Sequence, residues 1–287
     1  MFAFILSLLC IAIDAAGEFL DAKIAQHSIF DTLKLTGPII LLFAHASTML
    51  QCRRALILIF LAMSIGLFAE IIGIHYGSVF GEKYDYNFES SIFFSTTPLF
   101  DNSLSLKNVP LLIPCFWAVF IYAGYSLTSS FLAWLKINKP SHARNEKGLL
   151  LLLVLCDATL VLLIDLLMDP ILVRTGNWVW HKGSPYYGIP LGNFVGWFLV
   201  AFLVCGLFRL FEYYTDPIPH HDSHKLHLIP AGGFLAFWLV SIIAAIQYQM
   251  HALILIGTCT LLPVVLLNFY CCAQRMRLFT AIPQASA

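Results

Sequence analysis

Acidic side chains lie inside the apolar stretches of this chain, where burying a charge is costly. Asp157, Asp165 and Asp169 fall on one such stretch, and Glu70 falls near the end of another. On a helix, Asp165 and Asp169 lie about 80° and about 120° around from Asp157, so the three share one face that must point into the protein. Buried carboxyl groups on a shared face are candidates for general acid and general base catalysis.

The composition places the chain in a membrane. Of its 287 residues, 60% are hydrophobic and 11% are charged, and the mean hydropathy is +0.83. Sixteen Lys and Arg balance sixteen Asp and Glu, so bulk charge attracts neither nucleic acid nor an anionic lipid surface. We expect a single integral membrane domain over residues 1–287, with membrane lipid around it and no nucleic acid partner.

About eight stretches are apolar enough to cross a bilayer, since a spanning helix needs roughly 20 such residues. The sequence therefore predicts an all-α polytopic membrane protein, a bundle of seven or eight transmembrane helices. The spans cover residues 2–20, 35–50, 55–75, 110–135, 148–168, 191–211, 229–248 and 252–272. Pro110 precedes Trp117, and Pro190 precedes Trp197, by the same seven residues. This is either a coincidence or an internal repeat that relates the third and fourth spans to the fifth and sixth.

Basic residues set the predicted orientation. Ten of the sixteen Lys and Arg lie on the side of the two termini, so the positive-inside rule places both termini in the cytoplasm, with the protein in the inner membrane of a prokaryote. The first, third and fifth spans then run outward and place Glu18, Glu70, Asp165 and Asp169 in the non-cytoplasmic half of the bilayer, with Asp14 four residues before Glu18 on the first span. We expect no basic residue within the spans to neutralise these acids, so some should be uncharged and able to donate a proton.

Two long loops on the non-cytoplasmic side, residues 76–109 and 169–190, are rich in aromatic residues, Gly and Pro. Aromatic rings form belts at membrane interfaces, but the intervening Gly and Pro predict tight turns that hold the rings in place. Ring faces also stabilise a developing cation. The candidate substrate-binding aromatic residues are Tyr84, Tyr86, Trp178, Trp180, Tyr187 and Trp197.

Metal binding and a purely structural role are the alternatives for the polar residues. The histidine-rich segment 220–227 is similar to one histidine box of the membrane di-iron hydroxylases. Such enzymes need several boxes to surround their metal, so we expect a solvated cytoplasmic loop here and no metal site. The buried acids could instead cap helices, and Asp169 directly before Pro170 is typical of a helix end.

Several motifs occur in order between Glu70 and Trp197. They are Glu70-Ile-Ile-Gly73 followed by Gly77, Gly81, Tyr84 and Tyr86, then Asp165-Leu-Leu-Met-Asp169-Pro170, Gly176-Asn-Trp178-Val-Trp180, and Tyr186-Tyr-Gly-Ile-Pro190-Leu-Gly-Asn193-Phe194-Val-Gly196-Trp197. In combination they resemble the integral-membrane carotenoid biosynthesis proteins. The known activity of that family is carotenoid 1',2'-hydration, as in bisanhydrobacterioruberin hydratase and the bacterial hydratases of acyclic ends.

The resemblance implies an enzyme, a hydratase or hydro-lyase of carotenoid biosynthesis, whose substrates are an acyclic carotenoid and water and which needs no cofactor. Protonation of the terminal alkene gives a tertiary cation, and a base directs water onto it. Asp165 or Glu70 would be the acid, the other one or Asp169 would position water, and Asp157 would be a deeper partner. Asn193, within the last motif, joins the aromatic side chains as a substrate-binding candidate.

Two other functions remain open for the same residues. A proton-driven cyclase or isomerase of isoprenoids would form the same cation without capturing water. A lipid carrier or proton-coupled transporter would use the acids as a proton relay. A transporter is expected to hold such acids at mid-depth, whereas these acids lie mostly toward one end of the predicted spans.

The predicted orientation can be tested by labelling. A cysteine in place of Asn102, in the first aromatic loop, should react with an impermeant thiol reagent added to intact cells, because this loop is expected outside the cytoplasm. A cysteine in place of Lys139 should react only after lysis. Both changes are made in a variant that lacks other accessible thiols. The reverse labelling pattern would place the carboxyl groups in the cytoplasmic half of the membrane.

Overall fold

The computed structural model describes residues 28–87, 105–138, 147–215 and 226–281. Several sequence predictions lie outside these ranges and stay predictions. They concern the first span with Asp14 and Glu18, most of the histidine-rich segment, and the two labelling positions Asn102 and Lys139.

Helices make up most of the described residues. They are α1 (Ser28–Leu50), α2 (Cys52–Tyr76), α3 (Leu112–Asn138), α4 (Lys147–Arg174), α5 (Leu191–Tyr214), α6 (Leu228–Gln247) and α7 (His251–Ala281). Six of these described helices, α2 to α7, are long and apolar enough to cross a membrane, and α1 contains a shorter apolar stretch, Thr36–Leu50. The predicted all-α polytopic membrane fold is therefore confirmed.

The helices pack as a bundle around α3, which contacts each of the other six described helices. One part of the core lies among α1 to α5 and includes the fully buried side chains of Trp117, Ile121 and Phe208. A second part joins α4 to α6 and α7 through residues such as Leu167 and Leu261. Because α3 and α4 contribute to both parts, they form the frame on which the other helices are placed.

In the described part of the chain, four short strands lie between the helices: β1 (Tyr84–Tyr86), β2 (Ser105–Leu106), β3 (Val109–Pro110) and β4 (Trp178–Trp180). β1 and β4 come from the two predicted aromatic loops and pair antiparallel, with Tyr84 opposite Trp180 and Tyr86 opposite Trp178. Successive side chains of a strand alternate between faces, so the four rings share the face toward the helices while Asp85 and Val179 point outward. The two loops thus form one aromatic ribbon.

The outer face of this ribbon carries polar side-chain pairs. Lys182 Nζ lies 3.3 Å from Glu82 Oε2, and His181 Nε2 lies 2.8 Å from Asp85 Oδ2. A hydrogen bond from the Lys83 amide and another from Lys182 lower the pKa of Glu82 below its ordinary value. These pairs are exposed, so they are expected to add little stability, and they mark the face of the ribbon that lies away from the helices.

Pro170 does not end its helix. The prediction of a helix end at Asp169 is wrong, because α4 continues through Pro170 to Arg174. A proline lacks the N–H that would bond to the carbonyl four residues earlier, which here is the carbonyl of Leu166. The hydroxyl of Tyr186 donates to that carbonyl at 2.8 Å, so the acceptor is satisfied and the helix can continue. Asp169 therefore stays one helical turn from Asp165.

Two glycines let the loop after α2 approach the first turn of α5. Gly81 has φ +83°, and a Cβ built on Gly192 would lie 2.5 Å from the Cα of Gly81. On the next turn of α5, a Cβ on Gly196 would lie 2.5 Å from the carbonyl oxygen of Val79. Backbone is therefore in direct contact with backbone where the loop leads into β1.

Replacing Gly192 with Ala should destabilise the protein by about 1–3 kcal/mol, because the new methyl group has to push the loop backbone away. The matched control is Gly206→Ala on the same helix, where the nearest atom to the new Cβ would be at an ordinary 3.7 Å. Thermal unfolding in detergent measures both. A Gly192→Ala melting temperature equal to that of the control would contradict the described contact.

Candidate active site

Glu70 lies near the C-terminal end of α2 and is 4% exposed. Its Oε2 atom accepts hydrogen bonds from the hydroxyls of Tyr84 and Tyr86, the latter at 2.7 Å, and its Oε1 accepts one from Trp117 Nε1 at 2.9 Å. The donors come from β1 and α3, so the ribbon and the central helix both hold this side chain. An ionised carboxyl group only accepts hydrogen bonds, and the surroundings of Glu70 supply donors for both of its oxygens.

The two tyrosines keep their protons. Burial, followed by the charge of Glu70, raises the pKa of both Tyr84 and Tyr86 well above the ordinary value. At neutral pH both hydroxyls therefore remain donors to the Glu70 carboxyl group.

Asp165 and Asp169 lie one turn apart on α4 and are joined by Asn193 from the first turn of α5. The Nδ2 atom of Asn193 donates to Asp165 Oδ2 at 3.0 Å and to Asp169 Oδ2 at 2.6 Å. Within the described residues, no donor reaches the Oδ1 atom of either aspartate. Two ionised carboxylates held by one amide would repel each other, so the arrangement suits a pair that holds one proton.

A cavity of about 420 Å³ lies beside these groups. Its polar lining includes Glu70, Asp169 and Asn193, and its aromatic lining comprises Tyr84, Tyr86, Phe116, Trp117, Phe120, Trp178, Trp180 and Trp197, among others. The remaining walls are largely aliphatic side chains of α1, α3, α4 and α6. Glu70 and Asp169 thus meet a pocket suited to an apolar molecule. Asp165 does not line the pocket and is joined to it through Asn193.

The rings of the lining are packed against one another. The rings of Trp117 and Trp197 stack with their centroids 4.2 Å apart and an interplanar angle of 28°. The ring centroids of Tyr84 and Trp180 are 4.7 Å apart. Trp117 and Trp197 each follow a proline by seven residues, and this shared spacing is the basis of the internal repeat that the sequence suggests. The two matched segments therefore meet at the cavity.

The structure brings most of the predicted substrate-binding residues to the cavity. All of them line it except Tyr187, which packs edge to face on Tyr186 with centroids 5.1 Å apart. Tyr187 has φ 51° and Gly188 has φ 83°, so this segment is the tight turn that the sequence predicted. Asn193 lines the cavity and also bridges the aspartates, a role that the motif alone did not reveal.

The model of the carotenoid biosynthesis protein family matches residues 30–264 of the chain. The chain belongs to this family. The match confirms the resemblance read from the motifs, covers Glu70, Asp165, Asp169 and Asn193, and gives the protein a role in carotenoid biosynthesis. No curated protein and no solved structure matches the chain at a significant level.

Asp157 of this carotenoid biosynthesis protein does not line the cavity and pairs with Arg209 of α5. The Nη2 atom of Arg209 donates to Asp157 Oδ1 at 2.8 Å, and its Nε contacts Oδ2. Both side chains are buried, and the guanidinium also lies 4.5 Å from the centroid of the Tyr125 ring. The expectation that no basic residue lies within the spans is therefore wrong. Asp157 is about 12 Å along α4 from Asp165, and its contacts are those of a structural ion pair.

Trp117, His45 and Tyr122 are among the cavity residues that were not predicted from the sequence. His45 of α1 and Tyr122 of α3 both line the cavity, with His45 Nδ1 2.6 Å from the Tyr122 hydroxyl and His45 Nε2 3.0 Å from the carbonyl oxygen of Leu226. Because a carbonyl oxygen only accepts, Nε2 carries the hydrogen and Tyr122 donates to Nδ1. The available signal was a histidine within an apolar stretch, which is uncommon in a membrane span.

Replacing one partner of the Asp157–Arg209 pair should destabilise the protein more than replacing both partners. Arg209→Met leaves a buried carboxylate without its partner and should cost about 3–5 kcal/mol of unfolding free energy. The double variant Asp157→Leu with Arg209→Met should recover most of that loss. Unfolding in detergent measures both, and a double variant as unstable as the single one would show that the pair is not the source of the effect.

Proposed function

We propose that this protein is a cofactor-independent hydratase that adds water to the terminal double bond of an acyclic carotenoid end. The observation that carries the proposal is the pair of different carboxyl environments at one apolar cavity. Asp165 and Asp169 are bridged by one neutral amide, which suits a pair that holds a proton, while Glu70 is surrounded by donors. The addition of water to an alkene requires an acid that holds a proton and a base that can accept one, both in the same site.

The aspartate pair is the acid in this proposal. A proton leaves the pair and forms a C–H bond to the less substituted alkene carbon, using the electrons of the alkene π bond, so the neighbouring carbon becomes a tertiary cation. The cavity rings, above all Trp180, Trp197 and Tyr84, present π electrons to this cation. Asn193 keeps the two aspartates together while their charge changes.

Glu70 is the base. It accepts a proton from water as the water oxygen forms a C–O bond to the cation, and the product is a tertiary alcohol. No electrons are gained or lost overall, so no redox cofactor is required. The proton held by Glu70 must then return to the aspartate pair before the next turnover. The hydroxyls of Tyr84 and Tyr86 and the indole of Trp117 fix the orientation of Glu70 throughout.

Cyclisation or isomerisation remains the main alternative because it begins from the same cation. It would give a product of unchanged mass, since no water is captured, whereas a carrier or transporter would leave the pigment unaltered. The donors around Glu70 support hydration, because they stabilise the ionised form of a carboxyl group that lines the cavity, and an ionised carboxyl group can accept a proton from water.

Replacing Asp165 with Asn, or Glu70 with Gln, should lower hydration by about 10²-fold to 10⁴-fold, the range typical of a lost general acid or base. Both variants should fold, because a neutral amide is cheaper to bury than a charged carboxylate. The double variant should lose little more than either single one, since the two groups act in one reaction. The measurement is pigment analysis in a host that accumulates an acyclic carotenoid, where the wild type should yield a tertiary alcohol heavier by one water.

The matched control is Asp85→Asn, which makes the same chemical change on the exposed outer face of the ribbon and should leave hydration intact. Hydration at the wild-type level by the Asp165 and Glu70 variants, at equal protein amounts, would remove these residues from the mechanism. A cyclised product of unchanged mass from the wild type would replace hydration by the alternative.

A further inference from the structure

One face of α6 lines the cavity along nearly the whole helix. The residues of this stripe follow at intervals of three or four, as expected for one side of a helix: Ile229, Gly233, Ala236, Val240, Ala244 and Gln247. From the first to the last, the stripe measures about 27 Å at the rise of an α-helix. The cavity is therefore a long groove, much longer than the end group that the carboxyl groups could contact.

The carboxyl groups meet this groove nearer the end that is formed by the C-terminal residues of α6. A Cβ built on Gly257 of α7 would lie 2.8 Å from Leu167 and 3.4 Å from Ile242, so these two side chains are at one level. Leu167 lies between Asp165 and Asp169 on α4, and Ile242 therefore marks the carboxyl level on α6. From there the groove continues about 20 Å toward Ile229.

Other contacts locate the opposite end of the groove. The thiol of Cys272 lies 3.6 Å from the carbonyl oxygen of His227 and 3.3 Å from Ser130 Oγ. Ser130 is in the second half of α3, whereas Trp117, which contacts Glu70, is near its start. The beginning of α6 is thus on the side of the bundle away from Glu70.

The walls between these two ends are mostly apolar. Phe116, Phe120 and Phe237 contribute rings, and Gly233 and Ala236 contribute little side-chain volume. His45 and Tyr122 bond to each other, which satisfies their hydrogen-bonding groups. An apolar groove of this length matches a rigid linear hydrocarbon rather than a compact one.

We propose that the α6 stripe holds the polyene body of the substrate and sets the length of chain that the protein accepts. The reacting end lies at the carboxyl groups, and the chain runs along α6 past Ala236 and Gly233 toward Ile229. This assignment rests on the proposed function for the identity of the reacting end. In this assignment, the small residues of the stripe determine the specificity for chain length.

Two substitutions block the groove at different depths. Ala236 lies about 9 Å, and Gly233 about 14 Å, along α6 from the carboxyl level at Ile242. Conversion is measured for a series of acyclic isoprenoids that share one terminal alkene and differ in the number of isoprene units. The longest substrate that is converted should be shorter for Gly233→Phe than for the wild type, and shorter still for Ala236→Phe. Chains that reach the new ring should lose at least about tenfold in conversion, and chains that stop short of it should react as in the wild type.

The matched control is Ala252→Phe, the same change at an exposed alanine of α7 that does not line the cavity. It should leave every chain length unaffected. The proposal is overturned if both groove variants show the wild-type length profile, or if each loses all chain lengths equally while its melting temperature is normal.

Binding gives a second readout that does not depend on hydration. A bound polyene should quench the fluorescence of the cavity tryptophans, which include Trp117, Trp180 and Trp197, and shorter chains can be measured by displacement of that polyene. If the variants show the predicted order of lengths in binding but the wild type forms no alcohol, the groove stands and hydration fails. If alcohol forms without the order of lengths, the groove assignment is wrong and hydration stands.

Discussion

A carboxyl group buried in an apolar bundle must receive hydrogen bonds, share a proton or meet a cation, and the architecture around the cavity provides these solutions separately. Glu70 receives three donors, from Tyr84, Tyr86 and Trp117. Supplying them requires β1 to lie above α2 and the start of α3 to lie beside it. The pairing of β1 with β4 and the close approach of the preceding loop to Gly192 of α5 fix that position. The ribbon is therefore part of the burial of Glu70 and not only an aromatic belt.

The aspartate pair depends on a different device. Asp165 and Asp169 can face each other only if α4 remains helical past Pro170, and the Tyr186 hydroxyl makes this possible by bonding to the Leu166 carbonyl that the proline leaves free. Tyr186 belongs to the same connection that leads to Asn193. One short segment between β4 and α5 thus supports the helix that carries the pair and supplies the amide that bridges it.

Much of this could be read from the sequence, because it depends on local patterns. Apolar length predicts the membrane helices, helical spacing places Asp157, Asp165 and Asp169 on one buried face, and the motifs identify the family. What could not be read depends on partners far apart in the chain. Arg209 is 52 residues from Asp157, and neither spacing nor composition indicates that they meet. Likewise, the rule that proline ends a helix gives the wrong result where a distant tyrosine satisfies the freed carbonyl.

The placement of Arg209 also explains why acids on one helical face can have different roles. A carboxylate that is held by a guanidinium has its charge compensated and has no proton to give, so it can join α4 to α5 but cannot protonate an alkene. A cation near Asp165 would remove the shared proton on which the proposed acid step depends. The Asp157–Arg209 pair lies about two helical turns along α4 from Asp165. Within the described residues, the side-chain donor to Asp165 and Asp169 is the neutral amide of Asn193. The bundle thus gives the two tasks to different acids. Asp157 is neutralised by Arg209 and stabilises helix packing, whereas the proposed proton storage by Asp165 and Asp169 requires that no cation lie beside them.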